Sequence, residues 1–147
     1  MKQEQIIEFL KKVSLFENLS NEDLNSLSKK IKLENFEKKS MVFKENEPGN
    51  KLYILIEGKL VLSKNIENKE KVVAVIIPVN PVGEMSILDD EPRSLTVKTV
   101  ADSKLLSLEK EDFKEMVRNN PEISFKIFKI LSSRLREATQ LLKSQRY

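Results

Sequence analysis

Apolar positions repeat with a helical period at the start of the chain and then switch to alternation. Ile6, Ile7, Leu10 and Val13 share one side of a helix spanning Ile6 to Val13. Ser20 stands as an N-cap, with Glu22 and Asp23 in the first turn of a second helix that runs through Leu24, Leu27 and Ile31. From Leu33 the period shortens: residues 33–38, 41–45, 51–57, 59–64 and 71–77 read as strands, and Lys64–Glu70 as a polar hairpin tip. The run Val72–Ile77 is apolar at nearly every position, which predicts a strand enclosed on both faces. Two more strands, 95–101 and 103–108, follow a short helical turn after Gly83. Many short strands with little helix between them predict a mainly β fold, a barrel-like roll flanked by helices.

The last third returns to the helical period. Glu111–Asn119 reads as a short helix, and Asn120-Pro121 as the N-cap and first position of a long helix reaching about Lys143. Phe128, Leu131, Leu135, Ala138 and Leu142 follow 3-and-4 spacing, while Ile123, Ile127 and Ile130 lie on a neighbouring face. Two apolar faces imply that one packs on the roll and the other on a partner helix. The expected organisation is one domain: residues 1–120 form the roll with its N-terminal helices, and 121–147 form a C-terminal helix that acts as lid and dimerisation element.

Composition narrows the chemistry. The 147 residues include no histidine and no cysteine, which removes disulfides, thiol catalysis and the commonest general base and metal ligand. No paired catalytic constellation is present, so the expectation is a protein that is neither an enzyme nor a metal binder. The charge of +3 comes from 26 basic and 23 acidic residues, a mixed surface that points to no nucleic-acid partner. No apolar run spans a membrane and the N-terminus lacks a signal-peptide layout, so a cytoplasmic location is the default.

The candidate chemistry lies between Gly83 and Val97. Gly83 lets backbone approach a ligand without a Cβ between them. Met85, Ser86 and Ile87 would open a short helix whose free N–H groups can face an anion. Arg93 offers a planar, permanently charged fork suited to a phosphodiester. Glu84 carries the phosphate's own sign and suits a ribose hydroxyl instead. An acceptor for a sugar and a cation for a phosphate, nine residues apart, describe a nucleotide. The acids Asp89, Asp90 and Glu91 read as a solvated turn, because carboxylates beside a bound phosphate would repel it.

Gly83-Glu84-Met85-Ser86, Pro92-Arg93-Ser94 and Thr96-Val97 closely resemble the phosphate-binding cassette of cyclic nucleotide-binding domains. Phe43 to Gly58 is similar to that family's first hairpin, and Lys110 to Leu142 to the helices after its roll, so the likeness runs over about residues 15–142. The resemblance implies a jelly-roll-like double-stranded β-helix with a long C-terminal helix. It implies that the amides of Met85, Ser86 and Ser94 and the guanidinium of Arg93 hold the phosphate. Glu84 and the Gly83 backbone would hold the ribose. Leu62 and Val73 would pack on the base, and Thr139 would help cover it from the C-terminal helix. Dimeric bacterial relatives present a Thr-Ser pair there, which corresponds here to Ala138 and Thr139.

Departures from the family pattern include Val79-Asn80-Pro81-Val82 in place of a Gly-Asp-aromatic-aromatic turn, and Leu95 in place of a small residue. The implied ligand is cAMP, with cGMP as the alternative. The implied assembly is a homodimer through the C-terminal helix that signals to an unidentified effector protein. No residues remain after that helix for a helix-turn-helix, so no DNA-binding domain is expected in this chain. A ligand-free interaction module of the same fold is the competing reading, opposed by the intact Gly83, Glu84 and Arg93.

Overall fold

A computed structural model describes residues 1–17 and 19–144, except the side chains of Ile130, Arg134, Lys143 and Ser144. Eight antiparallel strands form two four-stranded sheets. In chain order they are β1 (Lys32–Phe36), β2 (Met41–Phe43), β3 (Lys51–Glu57), β4 (Leu60–Ile66), β5 (Lys69–Ile76), β6 (Asn80–Val82), β7 (Thr96–Thr99) and β8 (Ser103–Glu109). One sheet has the order β1-β8-β3-β6 and the other β2-β7-β4-β5. The helices are α1 (Gln3–Leu10), α2 (Asn21–Ser28), α3 (Glu84–Asp89), α4 (Lys110–Asn119) and α5 (Glu122–Ser144), with a 3₁₀ turn at Ser14–Phe16. This is the mainly β roll with flanking helices and a long C-terminal helix that the pattern predicts.

The strand β3 explains the layering. Its side chains alternate between two buried environments, as the period of two requires. Leu52, Ile54 and Ile56 join Leu106 and Leu108 of β8 in a core capped by the helices, which contribute Leu10, Phe16, Leu24, Phe113, Ile123 and Ile127. Tyr53 and Leu55 point the other way, into the roll, where they meet Leu60, Val82, Val97 and Leu105. Phe43, Leu62 and Ile76 border this second cluster.

The expected cap holds at the start of α2 and fails at Asn120. The Ser20 hydroxyl accepts the Asp23 N–H at 3.1 Å and caps α2 as expected. Asn120 acts differently from its expected role. It closes α4, and its side-chain amide donates to the Met116 carbonyl at 3.2 Å. The 64–70 segment is also more ordered than a polar tip. Pairing continues to Ile66 opposite Lys69, and only Glu67 and Asn68 make the turn, both at positive φ.

Val72–Ile77 departs from expectation. The strand β5 lies at the edge of its sheet, and Val72, Val73, Val75 and Ile77 are exposed. A continuous apolar run fits a buried strand only if a layer covers its second face, and no element of the described chain covers this one. The strand β6 escapes a reading based on pattern, because Pro78 and Pro81 break the run. Proline is compatible with an edge strand, and β6 is one, with Pro81 paired to Ile54.

Candidate functional site

The cassette carries α3 and joins β6 of one sheet to β7 of the other. Gly83 has φ 83° and immediately precedes α3, so the chain turns there in a conformation that an L-residue resists. It has no side chain to cap α3, and the first-turn N–H groups therefore have no side-chain cap. Space forbids a side chain too: a Cβ on Gly83 would run into the Arg93 guanidinium and the Phe43 ring. A Cβ on Gly49 would collide with Ser86, which sets the loop before β3 directly against α3.

Arg93 is the centre of the site. It is only 3% exposed. Its Nη1 donates to the Gly83 carbonyl at 2.8 Å and its Nη2 to the Lys51 carbonyl at 2.6 Å. Backbone bonds fix the segment as well: the Arg93 N–H donates to the Glu47 carbonyl, and the Asn46 N–H to the Arg93 carbonyl, each at 2.8 Å. The guanidinium carbon lies 3.9 Å from the centroid of the Phe43 ring. No carboxylate makes a salt bridge with it among the described residues, and its Nε is buried without a partner. Burial is the main influence on its pKa and pushes it below the ordinary arginine value, partly opposed by Tyr53, Glu47 and Glu84. A buried cation without a paired anion is costly, and an incoming anion relieves the cost.

The cavity beside Arg93 holds about 270 Å³. Gly83, Glu84, Met85, Ser86, Arg93, Ser94 and Leu62 all line it, so seven of the nine residues singled out in the sequence converge on one space. Ser86 is buried, while Met85 and Ser94 are exposed. The remaining wall is apolar: Phe43, Ala74, Ile76, Pro81, Val82, Leu95 and Val97.

Two expected residues do not reach it. Val73 is 49% exposed and absent from the lining, whereas its neighbour Ala74 pairs with Leu62 and faces the cavity. One step along a strand turns a side chain to the other face, and a bulge between Leu62 and Ser63 shifts the register just beyond. Thr139 is also away from the cavity: it is exposed on α5, and its hydroxyl donates to the Leu135 carbonyl at 2.9 Å. Among the described residues, α5 approaches the site through Ile127 and Leu131. These line an adjoining cavity of about 230 Å³, which shares Ile76, Pro81 and Glu84 with the first.

Sequence reasoning missed Ala74, Ile76 and the inward role of Phe43. Alternation with Leu62 across the hairpin was the available signal for the first two.

Two other charged clusters are paired internally. A cavity of about 440 Å³ between α2 and α4 is lined by Lys30, Asp112 and Glu115, and Lys30 pairs with both acids at 3.6 and 3.3 Å. Asp90 forms ion pairs with Lys110 and Lys114, whose hydrogen bonds hold its carboxyl down at about 2. Among the described residues no group of histidine, cysteine or carboxylate side chains could hold a metal.

The model of the cyclic nucleotide-binding domain matches residues 33–120, which covers both sheets and the cassette. The chain belongs to this family. A CRP-like cAMP-activated global transcriptional regulator of Mycobacterium tuberculosis is 28% identical over 136 residues, 92% of this chain and 61% of that protein. The chain thus spans less than two thirds of that relative. Among solved structures, the regulatory domain of Toxoplasma gondii PKA with cAMP aligns at a TM-score of 0.76 and 32% identity, over 80% of this chain and 45% of that one. The sensor domain of the transcriptional regulator DNR from Pseudomonas aeruginosa aligns at 0.84 and 25% identity, over 94% and 93%. The relatives include cAMP-related regulators such as these, and no described helix is long and apolar enough to cross a membrane.

Proposed function

We propose that this protein is a cytoplasmic cAMP sensor that signals through its C-terminal helix. The observation that carries the reading is Arg93: a buried guanidinium, held by two carbonyls, with an orphaned Nε and no paired carboxylate, at the wall of a cavity. Such a site binds an anion, and Glu84 on the same wall supplies an acceptor for a sugar hydroxyl. In this reading the amides of Met85, Ser86 and Ser94 and the Arg93 fork hold the cyclic phosphate. The apolar wall of Leu62, Ala74 and Ile76 takes the base. Ser94, directly after the arginine, leaves cGMP as the alternative ligand.

The roll, within residues 1–120, binds, and the C-terminal segment from 121, which contains α5 (Glu122–Ser144), transmits. Support for transmission comes from the shared wall: Ile76, Pro81 and Glu84 border both the ligand cavity and the one that Ile127 and Leu131 of α5 close. A ligand that moves these residues favours one seat of α5 over another. Thr139 would reach a base only after such a shift, or from a partner's helix. The exposed residues Phe125, Phe128, Leu135, Leu141 and Leu142 on α5 suit a homodimer through that helix, because few soluble monomers leave so long an apolar face open. The effector is a further protein.

Calorimetric titration with cAMP and with cGMP tests the proposal. Saturable one-site binding, tighter for cAMP, is expected; no heat and no thermal shift with either nucleotide would leave the ligand-free module as the answer.

A further inference from the structure

The site contains a group whose placement the phosphate-binding reading does not explain. Phe43 sits on β2, paired with Val97 at the end of the cassette, and its ring faces the Arg93 guanidinium at 3.9 Å. A bulge aims it there: Met41 pairs with Lys98 and Phe43 with Val97, so two residues of β2 advance against one of β7. Behind the ring lies Tyr53, stacked at 6.1 Å between centroids and 27° between planes, and itself buried. Gly83 completes the arrangement, since any Cβ there would press on both the ring and the guanidinium. The guanidinium is thus fixed in its plane by the Gly83 and Lys51 carbonyls and across its face by an aromatic ring.

We propose that Phe43 is the positioning residue of the anion site, its ring face holding Arg93 flat and aimed at the cavity before any ligand arrives. The inference rests on the reading of that cavity as a cyclic-nucleotide site. The physical argument is one of compensation. Arg93 is buried without a paired carboxylate among the described residues, so some other group must offset its desolvation. The two carbonyls do part of this. The more distant charges of Glu47 and Glu84 contribute as well, and the negative face of the ring adds a contact of the kind that strengthens where water is excluded. A neutral ring also does what a carboxylate could not: it stabilises the cation without competing with the ligand's phosphate for it. Packing alone would be served equally by leucine. A face-on ring at the guanidinium is what distinguishes the two explanations.

The test replaces Phe43 with pentafluorophenylalanine, which keeps a planar six-membered ring, slightly larger at its rim, but reverses the charge distribution on the face, alongside Phe43→Leu and Phe43→Tyr. Binding of cAMP and cGMP is measured by calorimetry on the full chain, with circular dichroism to confirm the fold. Expected are losses of about tenfold for the fluorinated ring and for leucine, and recovery to within about threefold for tyrosine. The loss should be equal for cAMP and cGMP, because the two share the phosphate and differ in the base. Wild-type affinity with the fluorinated ring overturns the proposal while leaving the cyclic-nucleotide site standing. So does a loss confined to one nucleotide, which would make Phe43 a base contact. Should leucine unfold the roll, the fluorinated ring, with its fold checked by circular dichroism and compared with tyrosine, carries the test. Absence of binding by the wild-type protein would instead remove the site reading on which the inference stands.

Discussion

Replacing Arg93 with alanine separates the site's affinity from the fold's stability. On the ligand side, the variant leaves a cyclic phosphate in a desolvated cavity without its fork. Hydrogen bonds to charged groups contribute about 1.5–3 kcal/mol each, and the loss of a bidentate contact offset by partial hydration should cost about 2–4 kcal/mol. That corresponds to a dissociation constant raised about 30- to 1,000-fold. On the stability side two terms oppose. The Gly83 and Lys51 carbonyls lose their donors, which costs about 1–3 kcal/mol. The buried cation and its unpartnered Nε also disappear, which recovers a cost of the same order. The ligand-free variant should therefore melt within about 4 °C of the wild type.

The two proteins should diverge when ligand is added. At a ligand concentration of about 100 times its Kd, the wild type gains ~2.7 kcal/mol, or about 5–10 °C for a chain of this size. The variant at the same concentration should gain little. Differential scanning fluorimetry with and without cAMP, backed by calorimetry, reads both quantities. Arg93→Lys should recover part of the binding, since a point charge lacks the fork. An alanine variant that binds with wild-type affinity would refute the assignment of Arg93 as the phosphate contact.

Three further outcomes follow from the same geometry. Glu84→Gln should weaken cAMP binding by about 1–3 kcal/mol. Combined with a 2′-deoxy ligand the two losses should not add, and calorimetric additivity would place Glu84 away from the ribose. Leu135→Glu lies on the exposed face of α5, at 69% exposure, and should change monomer stability by about 0.5 kcal/mol at most. It should convert a dimer to a monomer by light scattering; a wild type already monomeric at micromolar concentration, with and without ligand, would sink the helix-pair reading. Asp90, with its carboxyl at about 2 against an ordinary 3.8, contributes stability that is fully present above the ordinary value and lost as pH falls through the lowered one. Asp90→Asn should thus melt below the wild type at neutral pH, and the gap should close as pH falls from about 3.8 to about 2. A gap independent of pH would show that the Lys110 and Lys114 pairs contribute nothing.

Local pattern was enough to predict every strand but β6, and to mark out the cassette. The strand over 51–57 needs only alternation between two apolar sets, and β3 matches it residue for residue. Gly83, Glu84 and Arg93 are legible because local chemistry constrains them: a turn at positive φ, a carboxylate at a helix start, a lone cation before a strand. What failed in the sequence reading depends on distant neighbours. Whether Val72–Ile77 is enclosed depends on whether a second layer lies over it, and an apolar run carries no record of that. Whether Val73 or Ala74 faces the cavity depends on the parity of β5 against β4, which pairing across the hairpin sets. The face of Phe43 toward Arg93 arises from a bulge opposite β7, whose Val97 lies 54 residues further along the chain. The division of α5 into a face buried through Ile123 and Ile127 and one exposed through Phe128 and Leu135 follows its spacing, although Leu131 of the expected seam packs partly on the core. Ile130, expected beside Ile127, lies with its side chain outside the described residues. Periodicity records which side chains avoid water. Only the folded chain decides which of them meet, because contact between distant segments is set by register and layering, and neither is written into any local stretch.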